Sequence, residues 1–351
     1  MNKIAGIQQI GIGVSDVYAA QKWYKEYLGY NVAIFDEAAE ANLMLPYTDG
    51  KPQSRHAVLA YNMQGGGGFE IWQYTSRTPV AAKFDIQLGD LGIFACKIKS
   101  PDVEKTYQSY KTKGVNIITD LQKAPNGKLH FFIKDPYNNI FEIEENQEYL
   151  LNQNKLTSGN TGVIIGVKNI EMSKKFYSEI LGYDTVEYEK EEIFTDLKGL
   201  AGADKKCKRT LLSHSKARVG AFSPLLGSST IELIQVLDRE PVNIYKDRLW
   251  GDLGYIHLCY DVLDMSEIKN SCKKLGHPFT IDSANSFDMG EAAGHFTYVE
   301  APEGTLVEFV ETHKIPIMKK IGWYLNLKKR GQTKPLPNWF FKLLASTRKV
   351  K

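Results

Sequence analysis

The chain repeats itself, and the repeat limits the folds that are open to it. GDLGYIHLCYDV at 251–262 matches GDLGIFACKIKS at 89–100, an offset of 162 positions. VSDVYAAQKWYKEYLGY at 14–30 aligns without gaps with VKNIEMSKKFYSEILGY at 167–183, and seven of the seventeen positions are identical. Because the two pairs alternate along the chain, the sequence predicts four copies of one structural unit.

Each copy has the same order of predicted elements. A β-rich run leads to a capping residue, then to a helix with apolar residues at 3.6-residue spacing, then to a glycine that ends the helix. In the first copy Ser15 or Asp16 is the expected cap and Gly29 the stop; in the second, Ser100 and Pro101 are expected to supply the cap and a first-turn proline. Strand-like segments follow. Each unit therefore reads as βαβββ, and the fold class is α+β.

The length and composition fit a globular protein of two domains. We expect one domain at 4–148, a second at 158–313 and a separate tail at 314–351. No apolar run approaches the ~20 residues of a membrane span. The N-terminus lacks the pattern of a secretory signal, so a cytoplasmic location is expected. The four cysteines lack CxxC spacing, which argues against a disulfide framework or a zinc knot.

A glutamate recurs between apolar neighbours in the last predicted strand of every unit. The four segments are FEIWQY, FEIEEN, IELIQV and VEFVET, and the glutamates are Glu70, Glu142, Glu232 and Glu308. A carboxylate in such a strand costs several kcal/mol unless it is paired, hydrogen-bonded or bound to a metal. A solvated edge or an ion pair could explain any one of them. Four at equivalent places favour a shared site.

These features resemble the vicinal oxygen chelate superfamily, which includes glyoxalase I, metal-dependent epimerases, extradiol dioxygenases and antibiotic-binding resistance proteins. The resemblance covers about residues 4–313 and is clearest in QIGIGVSD, the helix and LGY of the first unit. It implies four βαβββ modules that form two cup-shaped mixed β-sheets. It also implies that a His or Gln near the end of the first strand faces the cup. That position is Gln9 in the first module and His257 in the fourth, but Gly162 and Ala95 in the others.

In this superfamily two modules build one metal site, so the pairing of the modules decides which ligands meet. Pairing in chain order gives two incomplete sets, one of Gln9, Glu70 and Glu142 and one of Glu232, His257 and Glu308. Pairing the first module with the fourth gives the complete set Gln9, Glu70, His257 and Glu308, and leaves Glu142 and Glu232 in a vestigial second site. We favour the second arrangement, because random decay would seldom leave one set whole.

An amide, an imidazole and two carboxylates suit a divalent metal such as Zn²⁺, Ni²⁺, Co²⁺ or Mn²⁺. The resemblance then implies a lyase or isomerase of the glyoxalase I type, which moves a proton next to a carbonyl through a metal-bound enediolate on a small 2-oxo or 2-hydroxy compound. Glu308 would be the primary base, and Glu70 a ligand and second acid/base. The alternatives are an epimerase with a sugar-like or acyl substrate and a non-catalytic, ligand-binding protein of the resistance type.

Three further residues are candidates for the lining of the pocket. Trp72 shares a strand face with Glu70, although an aromatic side chain there is also typical of a core. Glu291 and His295 belong to the segment FDMGEAAGHF, which could cover the mouth of the cup or form an ordinary turn.

The tail is strongly basic. Residues 314–351 contain eleven Lys or Arg and no Asp or Glu, so the rest of the chain sums to −8 although the total is +3. The tail could pack against this acidic body, lie on anionic lipid as a peripheral membrane contact, bind an acidic partner or contact a substrate phosphate. No nucleic-acid readout motif accompanies the charge, so nucleic-acid binding is not expected.

Overall fold

The structure is a computed structural model that describes residues 3–284, 287–289, 292–318 and 323–347. The first module consists of β1 (Ile4–Gly13), α1 (Val17–Tyr27), β2 (Val32–Glu40), β3 (Ser54–Tyr61) and β4 (Gly68–Tyr74). The second consists of β5 (Gly92–Ser100), α2 (Val103–Thr112), β6 (Asn116–Ile117), β7 (Gln122–Lys123), β8 (Leu129–Lys134) and β9 (Ile140–Glu145).

The second half of the chain repeats this order and adds a tail. The third module consists of β10 (Asn160–Gly166), α3 (Ile170–Glu179), β11 (Thr185–Glu192), β12 (Cys207–Ser213), α4 (Ser223–Leu226) and β13 (Thr230–Val236). The fourth consists of β14 (Gly254–Val262), α5 (Met265–Lys274), β15 (Ile281–Asp282), β16 (Phe287–Met289), β17 (Ala292–Glu300) and β18 (Leu306–Thr312). The tail contains β19 (Lys314–Met318), β20 (Trp323–Asn326), α6 (Leu327–Arg330) and α7 (Asn338–Thr347).

The long helix of each module starts in the same way. Its first-turn amides donate hydrogen bonds to an Asp or Asn side chain, and these caps are Asp16, Asp102, Asn169 and Asp264. The prediction that Ser100 and Pro101 cap α2 is therefore wrong. Asp102 takes that role because its carboxylate accepts from the amide of Lys105 at 2.9 Å, and the helix begins only at Val103.

The modules pair first with fourth and second with third. Within the described residues, one nine-stranded sheet has the order β15-β17-β18-β14-β1-β4-β3-β2, with β16 paired to β17 beside this path. The other nine-stranded sheet has the order β11-β12-β13-β10-β5-β9-β8-β6, with β7 paired to β8. Two antiparallel pairs, β1 with β14 and β5 with β10, join the modules at the centre of each sheet. These two curled, mixed sheets confirm the predicted α+β class. Each sheet takes one module from 4–148 and one from 158–313.

The two faces of each sheet have different surroundings. On one face the helices pack against strands of both sheets in a single large apolar cluster. The helix of each module contributes to this cluster, for example through Tyr24, Tyr110, Tyr177 and Ile268. The opposite face, inside each cup, has a smaller cluster of its own. The functional residues of the first and fourth modules lie inside their cup.

The tail packs on the body through apolar side chains. Phe340 and Phe341 of α7 are buried in a cluster that includes Leu225 and Leu226 of α4. The backbone amide of Leu336 donates to a body carbonyl, that of Ala221, at 2.9 Å. Within the described ranges, no helix is long and apolar enough to cross a membrane.

Candidate metal centre

A glycine near the C-terminal end of β1 allows the strands on either side of β1 to bring their side chains together. Gly11 lies opposite Glu70 of β4 on one side and opposite His257 of β14 on the other. A Cβ atom at Gly11 would lie only 2.5 Å from the Cε1 atom of His257. Because glycine leaves this space free, the imidazole extends over β1 toward the carboxylate of Glu70.

The structure brings together all four residues of the predicted complete set. The Nε2 atom of His257 lies 3.2 Å from the Oε2 atom of Glu308 and 3.4 Å from the Oε2 atom of Glu70. Glu70 also accepts a hydrogen bond of 3.3 Å from the side-chain amide of Gln9. One candidate ligand atom from each of Glu70, His257 and Glu308 lies within 4.8 Å of the others.

The polar atoms of this group are buried and incompletely paired. Gln9, His257 and Glu308 are 4%, 0% and 7% exposed. Among the described residues, the Oε1 of Gln9 has no hydrogen-bond partner, and the Nε2 of His257 and the Oε2 of Glu308, although 3.2 Å apart, do not meet in hydrogen-bond geometry. A buried polar atom that lacks a hydrogen bond lowers the stability of the fold by about 1–3 kcal/mol. A divalent cation would engage all three, and one amide, one imidazole and two carboxylates are suitable donors. The residues therefore fit a divalent metal.

Tyr298 orients the imidazole. Its hydroxyl lies 3.4 Å from the Nδ1 atom of His257, so the other ring nitrogen, Nε2, faces the two glutamates. A hydrogen-bond partner on the distal nitrogen is the usual way in which proteins fix the tautomer and direction of a metal-binding histidine.

The two carboxylates differ in proton affinity. Burial raises the pKa of Glu308 to about 7; the charge of Glu70 adds to the effect, and His257 opposes it. Burial acts on Glu70 in the same direction, but contact with His257 and the charge of Arg55 outweigh it and lower its pKa. Burial disfavours protonation of His257, but the two glutamates outweigh this effect and raise its pKa. One carboxylate can thus hold a proton near neutral pH while its neighbour stays ionised.

Gln9, Glu70 and Glu308 line a cleft of about 350 Å³. Its aromatic wall is formed by Phe35, Trp72, Trp250, Phe296 and Tyr298. Arg55 is the one basic residue among those described in the lining; its guanidinium donates to the carbonyl of Glu37 at 2.9 Å and lies 5.3 Å from the ring centre of Trp72. The cleft is therefore polar at the glutamates and aromatic on its sides.

The predictions for the three pocket residues have different outcomes. Trp72 lines the cleft. Glu291 lies outside the described residues. The pocket role of His295 needs correction, because its ring bonds the carboxylate of Asp282 at 2.6 Å. Phe296 next to it faces the cleft, and successive side chains of a strand point to opposite faces of the sheet.

The second cup contains a lysine between its two glutamates. The Nζ atom of Lys97 lies 2.5 Å from Glu142, 2.8 Å from Glu232 and 3.2 Å from Glu144. Lys97 is opposite Glu142 in the register of β5 and β9. Its ammonium group supplies the positive charge that these buried carboxylates need. The site predicted to be vestigial is thus an ion-pair cluster.

Further buried ion pairs complete this cluster. Arg209 bonds the carboxylates of Glu232 and Asp196, and His130 bonds that of Glu142 at 2.6 Å. Burial opposes the charged form of Glu232, but Arg209 and Lys97 outweigh it and lower the pKa of this carboxyl. Burial also opposes protonation of His130, yet its bonds to Asp196 and Glu142 raise its pKa to about 9.

Two differences from the first cup explain this arrangement. The position equivalent to Gly11 is Ile164, which lies opposite Glu232 and fills the space with an apolar side chain. The position equivalent to His257 is Ala95, which also belongs to the apolar cluster of the cup.

Sequence reasoning missed Gly11, Tyr298 and Lys97. Lys97 follows Ala95 by two positions, so strand alternation could have placed it on the cup face. Tyr298 lies opposite Glu308 in the register of β17 and β18, which a sequence alone does not give.

Comparisons with known proteins agree with this fold. Residues 6–143 match the sequence profile of the Glyoxalase/Bleomycin resistance protein/Dioxygenase superfamily. Glyoxalase I from Zea mays superposes with a TM-score of 0.53 at 15% identity, covering 87% of this chain and 92% of that one. A single-site mutant of the same enzyme gives 0.55 at 15% identity, with coverage of 87% and 92%.

A Bacillus subtilis protein provisionally named a dioxygenase gives a TM-score of 0.57 at 13% identity, covering 89% of this chain and 86% of that one. At these identities the likeness concerns the fold. No curated protein sequence matches the chain.

Proposed function

Because residues 6–143 match the profile of the Glyoxalase/Bleomycin resistance protein/Dioxygenase superfamily, we propose that the chain is a member of it and a divalent-metal-dependent lyase or isomerase of the glyoxalase I type. It transfers a proton at the carbon next to a carbonyl of a small 2-oxo or 2-hydroxy compound. The observation that carries the proposal is the meeting of Gln9 and Glu70 from the first module with His257 and Glu308 from the fourth.

Gln9, Glu70, His257 and Glu308 would hold the metal. A bound divalent ion polarises a carbonyl oxygen and so makes the adjacent C–H bond more acidic. Glu308 takes the proton, because burial raises the pKa of its carboxyl whereas that of Glu70 is lowered, so Glu308 is the stronger base of the two. Glu70 acts as the second acid/base, and Gln9 and His257 keep the group in place.

The surroundings limit the substrate to a small molecule. The cleft of about 350 Å³ has aromatic sides and is partly open to solvent, which suits a compact acyl or 2-oxo compound. An epimerase would use the same two carboxylates on opposite faces of the substrate carbon. A binding protein would hold the compound without proton transfer.

The first test is metal content. We expect the purified protein to contain or take up about one divalent ion per chain, measured by inductively coupled plasma mass spectrometry after dialysis. His257→Ala should lose the ion, whereas His295→Ala, which changes a histidine outside the cleft, should keep it. Protein that takes up no ion would argue for a binding protein.

The second test is proton transfer itself. The metal-loaded protein is incubated in D₂O with 2-oxoaldehyde–thiol adducts and with 2-hydroxy ketones, and NMR follows deuterium at the carbon next to the carbonyl. Glu308→Gln retains an oxygen donor but lacks the base, so it should lose exchange by at least ~100-fold while keeping the metal. Equal exchange in Glu308→Gln and wild type would exclude Glu308 as the base.

A further inference from the structure

The C-terminal helix α7 is attached to the body by one face only. Phe340 and Phe341 are 9% and 0% exposed, and both belong to an apolar cluster shared with the body. Upstream of α7, the guanidinium of Arg330 donates to the carbonyls of Lys334 and Pro335 at 2.6 and 2.7 Å and shapes the preceding loop. The helix is therefore folded and fixed in place by its own chain.

The outer face of α7 exposes large apolar side chains. Trp339 is 60% exposed and Leu343 is 45% exposed. They are four residues apart, which places them on the same side of the helix, one turn from each other. Lys342 is also exposed and lies three residues after Trp339. This outer face, defined here by Trp339, Lys342 and Leu343, thus combines an indole, an aliphatic side chain and a positive charge.

Where the tail is described, most of its basic side chains form no ion pair with the body, although the rest of the chain carries a net charge of −8. Six of the eleven basic residues of the tail are described, and among these only Lys328 lies within ion-pair distance of a carboxylate, 3.6 Å from Glu311. The ammonium of Lys314 lies over the ring of Tyr324 at 5.1 Å. Lys329, Lys334 and Lys342 are exposed and remain available to an external anion.

We propose that the outer face of α7, with the lysines around it, binds the surface of an anionic phospholipid bilayer as a peripheral contact. Trp339 and Leu343 enter the headgroup region, where an indole is especially favourable, and the lysines attract the lipid phosphates. An acidic protein or polymer would use the lysines but would give little reason to expose an indole and a leucine side by side. Because α7 is already folded and docked, binding requires little additional ordering of the chain.

The experiment is co-sedimentation of the full-length protein with vesicles. We expect binding to vesicles of phosphatidylcholine mixed with phosphatidylglycerol, little binding to pure phosphatidylcholine, and weaker binding as salt increases. The double variant Trp339→Ala/Leu343→Ser should bind roughly tenfold more weakly. Lys329→Gln/Lys334→Gln/Lys342→Gln should weaken binding to the anionic vesicles in particular.

A matched control is Met172→Ser. Met172 is 58% exposed on α3, in the body, and its replacement should leave vesicle binding unchanged. Thermal unfolding of each variant checks that the fold is intact, which we expect because the replaced side chains are exposed. Metal content should not change in any of them, so this test is independent of the proposed activity.

Three results would overturn the proposal. One is the absence of binding to either kind of vesicle. Another is undiminished binding by the Trp339→Ala/Leu343→Ser variant in an intact fold. The third is retention on immobilised heparin without retention on anionic vesicles, which would assign the tail to a soluble acidic polymer.

Discussion

The Nζ atom of Lys97 lies 2.8 Å from the Oε2 atom of Glu232, and the two residues come from the second and third modules. Their ion pair joins these modules inside the second cup, just as Glu70 and His257 meet from the first and fourth modules inside the other. Both cups contain buried carboxylates that need a positive charge nearby. In the second cup the ammonium group of Lys97 supplies this charge, whereas the first cup offers a group of ligand atoms that a metal ion could bind. We therefore expect one metal ion per chain.

Removing the cation of the second cup should destabilise the protein. Lys97→Met leaves three buried carboxylates without their common partner, and loss of one member of a buried ion pair costs about 3–5 kcal/mol. The free energy of unfolding from urea denaturation measures this loss. In Lys168→Met the replaced lysine and its partner Glu240 are 67% and 76% exposed, so the loss should stay below ~1 kcal/mol. Similar losses in both variants would contradict our description of the cluster.

The same cluster should make stability depend on pH through His130. Its pKa in the folded protein is about 9, above the ~6.5 of an unfolded histidine. The protonated form is therefore stabilised by folding: the contribution is complete below pH ~6.5 and is lost as the pH rises through 9. The free energy of unfolding of wild type should exceed that of His130→Gln by up to about 3 kcal/mol more at pH ~6.5 than above pH 9. Urea denaturation across the range checks this, and parallel curves for the two proteins would disprove it.

Gly11 should be required for metal binding more than for folding. In Gly11→Ala the new methyl group would lie 2.5 Å from the ring of His257, so the imidazole must turn away from Glu70 and Glu308. We expect a loss of metal affinity of at least ~10-fold, measured by competition with a chromogenic chelator.

Gly276→Ala is the control for this change. Gly276 has a φ of +82° and no neighbouring atom within 4 Å of an added Cβ. The substitution should therefore lower stability through backbone strain by about 1 kcal/mol and leave metal affinity unchanged. If both glycine variants kept full metal affinity, the proposed role of Gly11 would be wrong.

Gln9 should act through its amide oxygen. This atom is buried and lacks a partner among the described residues. Gln9→Glu keeps an oxygen at the site and should retain the metal, whereas Gln9→Leu removes the donor and should weaken binding by ~10-fold or more. Isothermal titration with Zn²⁺ compares the two. Equal affinities for the Glu and Leu variants would show that the side chain of Gln9 does not bind the metal.

Much of the fold follows from regularities that are local in sequence. The repeated βαβββ order, the glycine stops and the strand glutamates each occupy a few neighbouring residues, so periodicity reveals them. The pairing of the first module with the fourth was inferred from which ligand set would be complete, and the register of β1 against β14 agrees with it.

The ion-pair cluster of the second cup could not be predicted from the sequence. Lys97, His130 and Arg209 come from β5, β8 and β12, and nothing in their spacing shows that they meet. A strand lysine is more often a solvated edge residue than a buried one. Only the register of three strands brings these cations to the same carboxylates.

The strand order also has a consequence for folding during synthesis on the ribosome. The second sheet lies within one continuous stretch, from β5 to β13, whereas the first needs Ile10 of β1 to pair with Leu258 of β14. During synthesis, N-terminal parts emerge and can fold first. The second sheet, which contains Lys97 and Arg209, can therefore form while β14 is still untranslated. The candidate metal centre, which needs both β1 and β14, is then the last part of the body to assemble, and it forms beside a sheet that is already folded.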